Sequence, residues 1–160
     1  MRLTLGAVGR LKAGPDRELF DRYWDRLAAS GRKIGISAVR LVELPESRGP
    51  TAAERKADEA ARLLAAARDA SGIIALDETG RAHTSASFAM HLGKLRDSGT
   101  SELAFLIGGP DGHGPAVLAR ASLILNLGTL TLPHGLARIV LAEQLYRAST
   151  ILAGHPYHRV

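Results

Sequence analysis

The stretch Glu102–Arg120, "ELAFLIGGPDGHGPAVLAR", decides the fold. Its first half, "ELAFLIGG", is a run of mostly apolar residues that predicts a strand entering a glycine-rich loop. Four glycines stand in that loop, at positions 108, 109, 112 and 114, and Pro115 then stands at a plausible first helical position. A strand that breaks into a glycine-rich turn and re-forms as a helix is half of a βαβ unit, so its neighbours should alternate in the same way.

They do. Upstream, "RLTLGAVG" predicts a first strand, Pro15 opens a helix through about Ser30, and "KIGISAVRLVEL" predicts a second strand closed by Pro45. Thr51 and Glu54 have the capping-box spacing at the head of an Ala-rich helix running to about Ala70. "GIIALDETG" predicts a short buried strand and a turn, and "SASFAMHLGKLRDSG" a helix ended by Gly99. Downstream, "LILNLGTLTL" is strand and loop, and a long final helix follows Pro133. No repeat, linker or low-complexity run interrupts the series, so residues 1–160 are expected to form one α/β domain with a largely parallel sheet.

Composition narrows the class. The 160 residues contain no cysteine, which removes disulfides and thiolate metal sites. No stretch approaches the roughly 20 apolar residues needed to span a bilayer, and the N-terminal run is too interrupted by glycine for a signal sequence. A cytoplasmic location is the expectation. The net charge of +5 favours a polyanionic partner. It is concentrated early, with nine Lys/Arg against four Asp/Glu in residues 1–40 and five against eight in residues 41–80. Arg2, Arg10, Lys12, Arg17, Arg22, Arg26, Arg32, Lys33 and Arg40 would form a phosphate-facing surface or, alternating with Asp16, Glu18, Asp21 and Asp25, an ordinary solvated face.

Ligands of α/β sheets collect at the carboxyl ends of the strands. Three loops leave such ends: Leu76–Arg81, Ile107–Pro115 and Asn126–His134. The glycine-rich second loop is neither a P-loop nor a dinucleotide fingerprint, and read by itself it is a tight turn or a ligand cradle. The third is apolar, with Leu127, Gly128, Thr129, Leu130, Thr131 and Leu132, and would suit a flat heterocycle held by backbone groups or simply pack as core. Glu143 and Arg147 are spaced i,i+4 for a helical ion pair. Three of the six histidines, His134, His155 and His158, fall near the end, beside Tyr157 and Arg159. HExxH is absent and no helical acid joins them, so no metal is expected; proton transfer and RNA contact suit these side chains better.

Taken in order, "L-x-AVG", "LD-x-x-G", "LIGGP-x-G", "LTLPH-x-LAR", "AEQLYRA" and the terminal "HPYHR" closely resemble the ribosomal RNA large subunit methyltransferase H family over the whole chain. The resemblance implies a single SPOUT-type domain whose C-terminal part forms a trefoil knot. It implies an S-adenosylmethionine-dependent enzyme that methylates N3 of a pseudouridine in 23S rRNA, working as a homodimer on the assembled ribosome. Carried over, cofactor contacts fall at Leu76, Gly108, Leu127, Gly128, Thr129, Leu130, Thr131 and Leu132, and the substrate-side residues are His134, Tyr157, His158 and Arg159. His113 and Gly114 depart from the family's usual apolar residue and Ser. The tail is expected to order over the methyl group when cofactor and ribosome bind. The alternative is a non-catalytic ribosome-binding or assembly factor on the same fold. A dinucleotide-dependent oxidoreductase lacks its fingerprint.

Overall fold

The computed structural model describes residues 1–158. Five parallel strands form one sheet in the order β2-β1-β4-β3-β5: β1 is Arg2–Val8, β2 Ala38–Leu44, β3 Gly72–Ala82, β4 Glu102–Ile107 and β5 Leu123–Asn126. β4 is central and buried along its whole length, as its unbroken apolar run requires. Alternate residues of one strand serve two cores. Leu103, Phe105 and Ile107, with Leu3, Leu5 and Ala7 of β1, pack under α1 (Pro15–Gly31), α3 (Ser85–Asp97) and α5 (His134–Leu152). Ala104 and Leu106, with Val8, Ile73 and Ala75, pack under α2 (Ala52–Ala66) and α4 (Pro115–Arg120), meeting Ala60, Leu63 and Val117.

The helix signals act where the sequence places them. Pro15 opens α1 with Asp16 and Glu18 in its first turn, complementing the helix dipole. At α2, the Thr51 hydroxyl accepts from Glu54 N–H while the Glu54 carboxylate accepts from Thr51 N–H, closing the capping box. Three boundaries differ from expectation. β2 begins only at Ala38, because Arg32–Ile34 form a 3-10 turn ended at Gly35. α2 ends at Ala66, four residues early.

The larger difference is in β3, which does not stop at the expected turn. Leu76 and Arg81 both face Leu125 of β5, so residues 77–80 are a bulge inside an 11-residue strand. The Asp77 carboxylate makes the bulge by accepting from both the Thr79 N–H (2.9 Å) and the Thr79 hydroxyl (2.6 Å). Turn residues are present as expected, but pairing resumes beyond them.

Candidate cofactor and substrate groove

The carboxyl ends of β3, β4 and β5 open into a groove of about 840 Å³, within the usual range for small-molecule sites. All three expected loops line it. Leu76, Gly108, the whole run Leu127–Leu132 and His134 are on its wall, brought together from three separate loops of the sequence.

Each loop is fixed by its own hydrogen bonds. Asn126 joins the first to the third: its amide donates to the Glu78 carbonyl and its amide oxygen accepts from Gly128 N–H, both at 2.8 Å. Gly128 sits at φ +140°, a conformation that side chains rarely adopt. The second loop closes on itself through Gly112 N–H to the Gly109 carbonyl (2.9 Å) and is tied to α2 by the Arg55–Asp111 ion pair (2.7 Å). Arg55 holds the half-buried Asp111 carboxyl below its ordinary range. A Cβ on Gly108 would lie 2.9–3.0 Å from the backbone of Gly112 and His113, so only glycine fits there.

His113, left without a role by sequence reasoning, is a buried strut. Its Nε2 faces the Leu106 carbonyl at 3.1 Å, joining the loop to β4. Burial pushes its pKa down, and the imidazole is neutral at pH 7.

The groove matches the chemistry of an adenosyl cofactor. Among the described residues, the backbone N–H groups of Thr129, Leu130, Thr131 and Leu132 make no hydrogen bond within the protein. Unpartnered donors beside leucine side chains, with a close backbone approach at Gly108, suit a flat heterocycle gripped by main chain. Leu130 is 81% exposed at the lip of the groove.

Tyr157 and His158 do not line this groove. Tyr157 packs on Tyr146 of α5 (ring centroids 4.6 Å), with the Arg147 guanidinium 5.0 Å from its ring centre. Its hydroxyl donates to Glu143 Oε1 at 3.2 Å. Desolvation, then Tyr23 and Glu143, push its pKa up to about 12. The expected Glu143–Arg147 pair forms at 2.6 Å and doubles as the floor of this seat. Glu143 lies about 14 Å along α5 from His134 at a rise of 1.5 Å per residue, so tail and groove are not joined within one chain. His158, whose Nδ1 is buried without a partner among the described residues, does not line the groove. Arg159 lies outside the described residues.

Sequence reasoning missed Arg138 and Glu43. Arg138 is almost fully buried, donating to Glu43 Oε1 (2.7 Å) and to the carbonyls of Gly9 (3.0 Å) and Val8 (3.2 Å). A period-3.6 reading places Arg138 on the apolar face of α5, which was the available signal. Nothing local pointed to its partner. Among the described residues, no group of three or more His, Cys, Asp or Glu side chains forms a metal site, and no helix is long and apolar enough to cross a membrane.

The comparisons with known proteins agree with this geometry. A family model described as "Predicted SPOUT methyltransferase" matches residues 1–158. "Ribosomal RNA large subunit methyltransferase H" of Brucella anthropi is 55% identical over 159 residues, covering 99% of each chain. The protein of the same name from Brucella ovis is 52% identical over 168 residues, again with 99% of each chain covered. Among solved structures, a probable methylase family protein from Haemophilus influenzae Rd KW20 shares the fold, with a TM-score of 0.53 at 15% identity, covering 99% of this chain and 70% of that one. With the whole described chain matched, an all-parallel five-stranded sheet and a groove at its carboxyl edge, this protein belongs to the SPOUT methyltransferase family.

Proposed function

We propose that the protein is an S-adenosylmethionine-dependent methyltransferase of large-subunit ribosomal RNA, acting at N3 of a pseudouridine on the assembled ribosome in the cytoplasm. The observation that supports this most is the convergence of Leu76, Gly108 and Leu127–Leu132 on one groove with free backbone donors, in a chain 55% identical to a protein named for that class of activity. In this reading the C-terminal part is knotted, as the family resemblance implies.

S-adenosylmethionine, when bound, supplies an electrophilic methyl group. The backbone of Thr129–Leu132 and the Gly108 turn would hold it, and Leu127, Leu130 and Leu132 would keep water from it. The remaining task is to orient the acceptor base and remove the N3 proton. His134, which lines the groove wall at the first position of α5, would accept that proton. Tyr157, His158 and Arg159 would stack on the base, share the proton transfer and hold a phosphate or the imide oxygens. Because the tail is seated about two and a half turns along α5 from its own His134, its residues reach a groove by leaving that seat or by serving a second subunit. A homodimer fits the second route.

Methyl transfer from labelled cofactor to ribosomes, isolated subunits and naked rRNA, with the modified nucleoside identified, tests the reading. Unchanged single-turnover rates in both His134→Ala and His158→Ala would remove the proton-transfer assignment. Titration calorimetry with S-adenosylmethionine separates the enzyme from a ribosome-binding factor, which would give no heat.

A further inference from the structure

The nine cations of the first 40 residues are not equivalent. Arg2 is paired with Glu102, Arg17 with Asp21 and Glu43, Arg40 donates to the Ala66 carbonyl, and Arg26 lies over the Tyr146 ring. Arg10, Lys12, Arg22, Arg32 and Lys33 are exposed and make no ion pair among the described residues. Arg32 and Lys33 follow the C-terminal end of α1, at the opposite edge of the sheet from the groove. Arg10 and Lys12 stand in the loop leaving the carboxyl end of β1, on the groove's side.

This loop is held by buried charge to α5, whose first turn lines the groove. Glu43 gathers the Leu11 N–H (3.0 Å), Arg17 (3.1 Å) and Arg138 (2.7 Å), while Arg138 also grips the Gly9 carbonyl. Arg138 is one helical turn beyond His134, on the same face of α5. The contact continues at the rim, where a Cβ on Gly135 would lie 3.4 Å from the Leu11 side chain and 3.0 Å from Asp16. A buried ion pair is a poor way to gain stability, because desolvation offsets most of its attraction. What it supplies is a fixed distance between the loop carrying Arg10 and Lys12 and the helix carrying His134.

We infer that Gly9–Gly14 is the RNA-backbone grip of this site. Arg10 and Lys12 take phosphates flanking the target nucleotide, and the Glu43–Arg138 bridge is the positioning element that sets the grip's distance from His134. This rests on the proposed rRNA methyltransferase activity and adds to it the segment that holds the substrate strand.

The test is ribosome binding and methyl transfer as a function of salt. In Arg10→Ala/Lys12→Ala, the slope of log affinity against log salt should become shallower by about 1 per lost contact, so by about 2. Affinity at about 0.1 M salt should fall at least roughly tenfold, with S-adenosylmethionine affinity and unfolding temperature unchanged. Arg32→Ala/Lys33→Ala removes the same charge from the far edge and should stay within about twofold of wild type by the same electrostatic argument. Glu43→Gln raises the net charge by one, so charge alone would tighten binding; released from its anchor, the loop should instead bind more weakly. An unchanged salt slope in the Arg10/Lys12 variant, or an equal loss in the Arg32/Lys33 control, overturns the grip. Tighter or equal binding by Glu43→Gln overturns the positioning element. If the wild-type chain neither binds nor methylates ribosomes, the functional reading itself falls and takes the grip with it.

Discussion

Gly108→Ala tests the groove at the point where it has least freedom. The added methyl group would meet the Gly112 carbonyl carbon at 2.9 Å, its oxygen at 3.0 Å and His113 N at 3.0 Å. All three are main chain, so no rotamer change relieves the contact. β4 cannot retreat, because it is paired with β1 on one side and β3 on the other. The loop from Gly109 to Gly114 must give, against the Arg55–Asp111 pair and the His113 strut. Overpacking of this kind costs about 1–3 kcal/mol. If the loop opens to relieve it, the cost appears when the cofactor requires the loop closed, and at 1.4 kcal/mol per tenfold this is a roughly 5- to 150-fold rise in Kd. Any strain left in the free protein lowers the unfolding temperature by about 2–4 °C per kcal/mol. Calorimetry with S-adenosylmethionine beside thermal unfolding measures both. An affinity within about twofold of wild type would refute the claim that this turn shapes the cofactor site.

Other substitutions separate the remaining contacts. Glu43→Leu strands Arg138, which is 1% exposed, and should destabilise the fold by about 3–5 kcal/mol in urea unfolding. Arg138→Leu should cost less, since Glu43 keeps Arg17 and the Leu11 N–H. Burial depresses the His113 pKa below 6.5, so the unfolded chain takes up its proton first. The stability His113 contributes is therefore present above pH 6.5 and lost as pH falls below it, and His113→Gln should flatten the stability profile there. His91, also depressed by burial and by His83, leaves some slope behind. Deleting residues 157–160 should abolish methyl transfer while leaving urea unfolding and cofactor affinity near wild type, because the seat is on the outer part of α5.

Much of this was readable from local pattern. Strand and helix alternation, the Thr51–Glu54 box and the Glu143–Arg147 pair all depend on residues within one turn or one strand, and all form as their spacing requires. The three loops were recognisable as loops, but residues alone left the second open between a tight turn and a ligand cradle and the third open between core packing and a cradle; the resemblance selected the cradle. What was hidden is set by distant partners. Asp77–Gly80 reads as a turn, and only the ladder to β5 shows that the strand resumes at Arg81. Glu43 meets Arg138 across 95 residues, and no local period signals such a pair. The tail's seat depends on Tyr146 and Tyr23 facing the same way from two helices, which neither helix shows by itself.

The bonds of Arg138 also set a schedule. Its links to Gly9 and Val8 span 129 and 130 residues, among the longest loops this chain closes. Contacts of that separation form late, after the local elements have already collapsed. During synthesis, β1, β2 and their connecting helix can assemble while Glu43 holds only Arg17 and Leu11, with the rim still open. The last long helix then arrives with the cation that closes it. A chain stopped at Pro133 would contain all five strands yet have neither this clamp nor His134, so competence for RNA should appear in a single late step of folding.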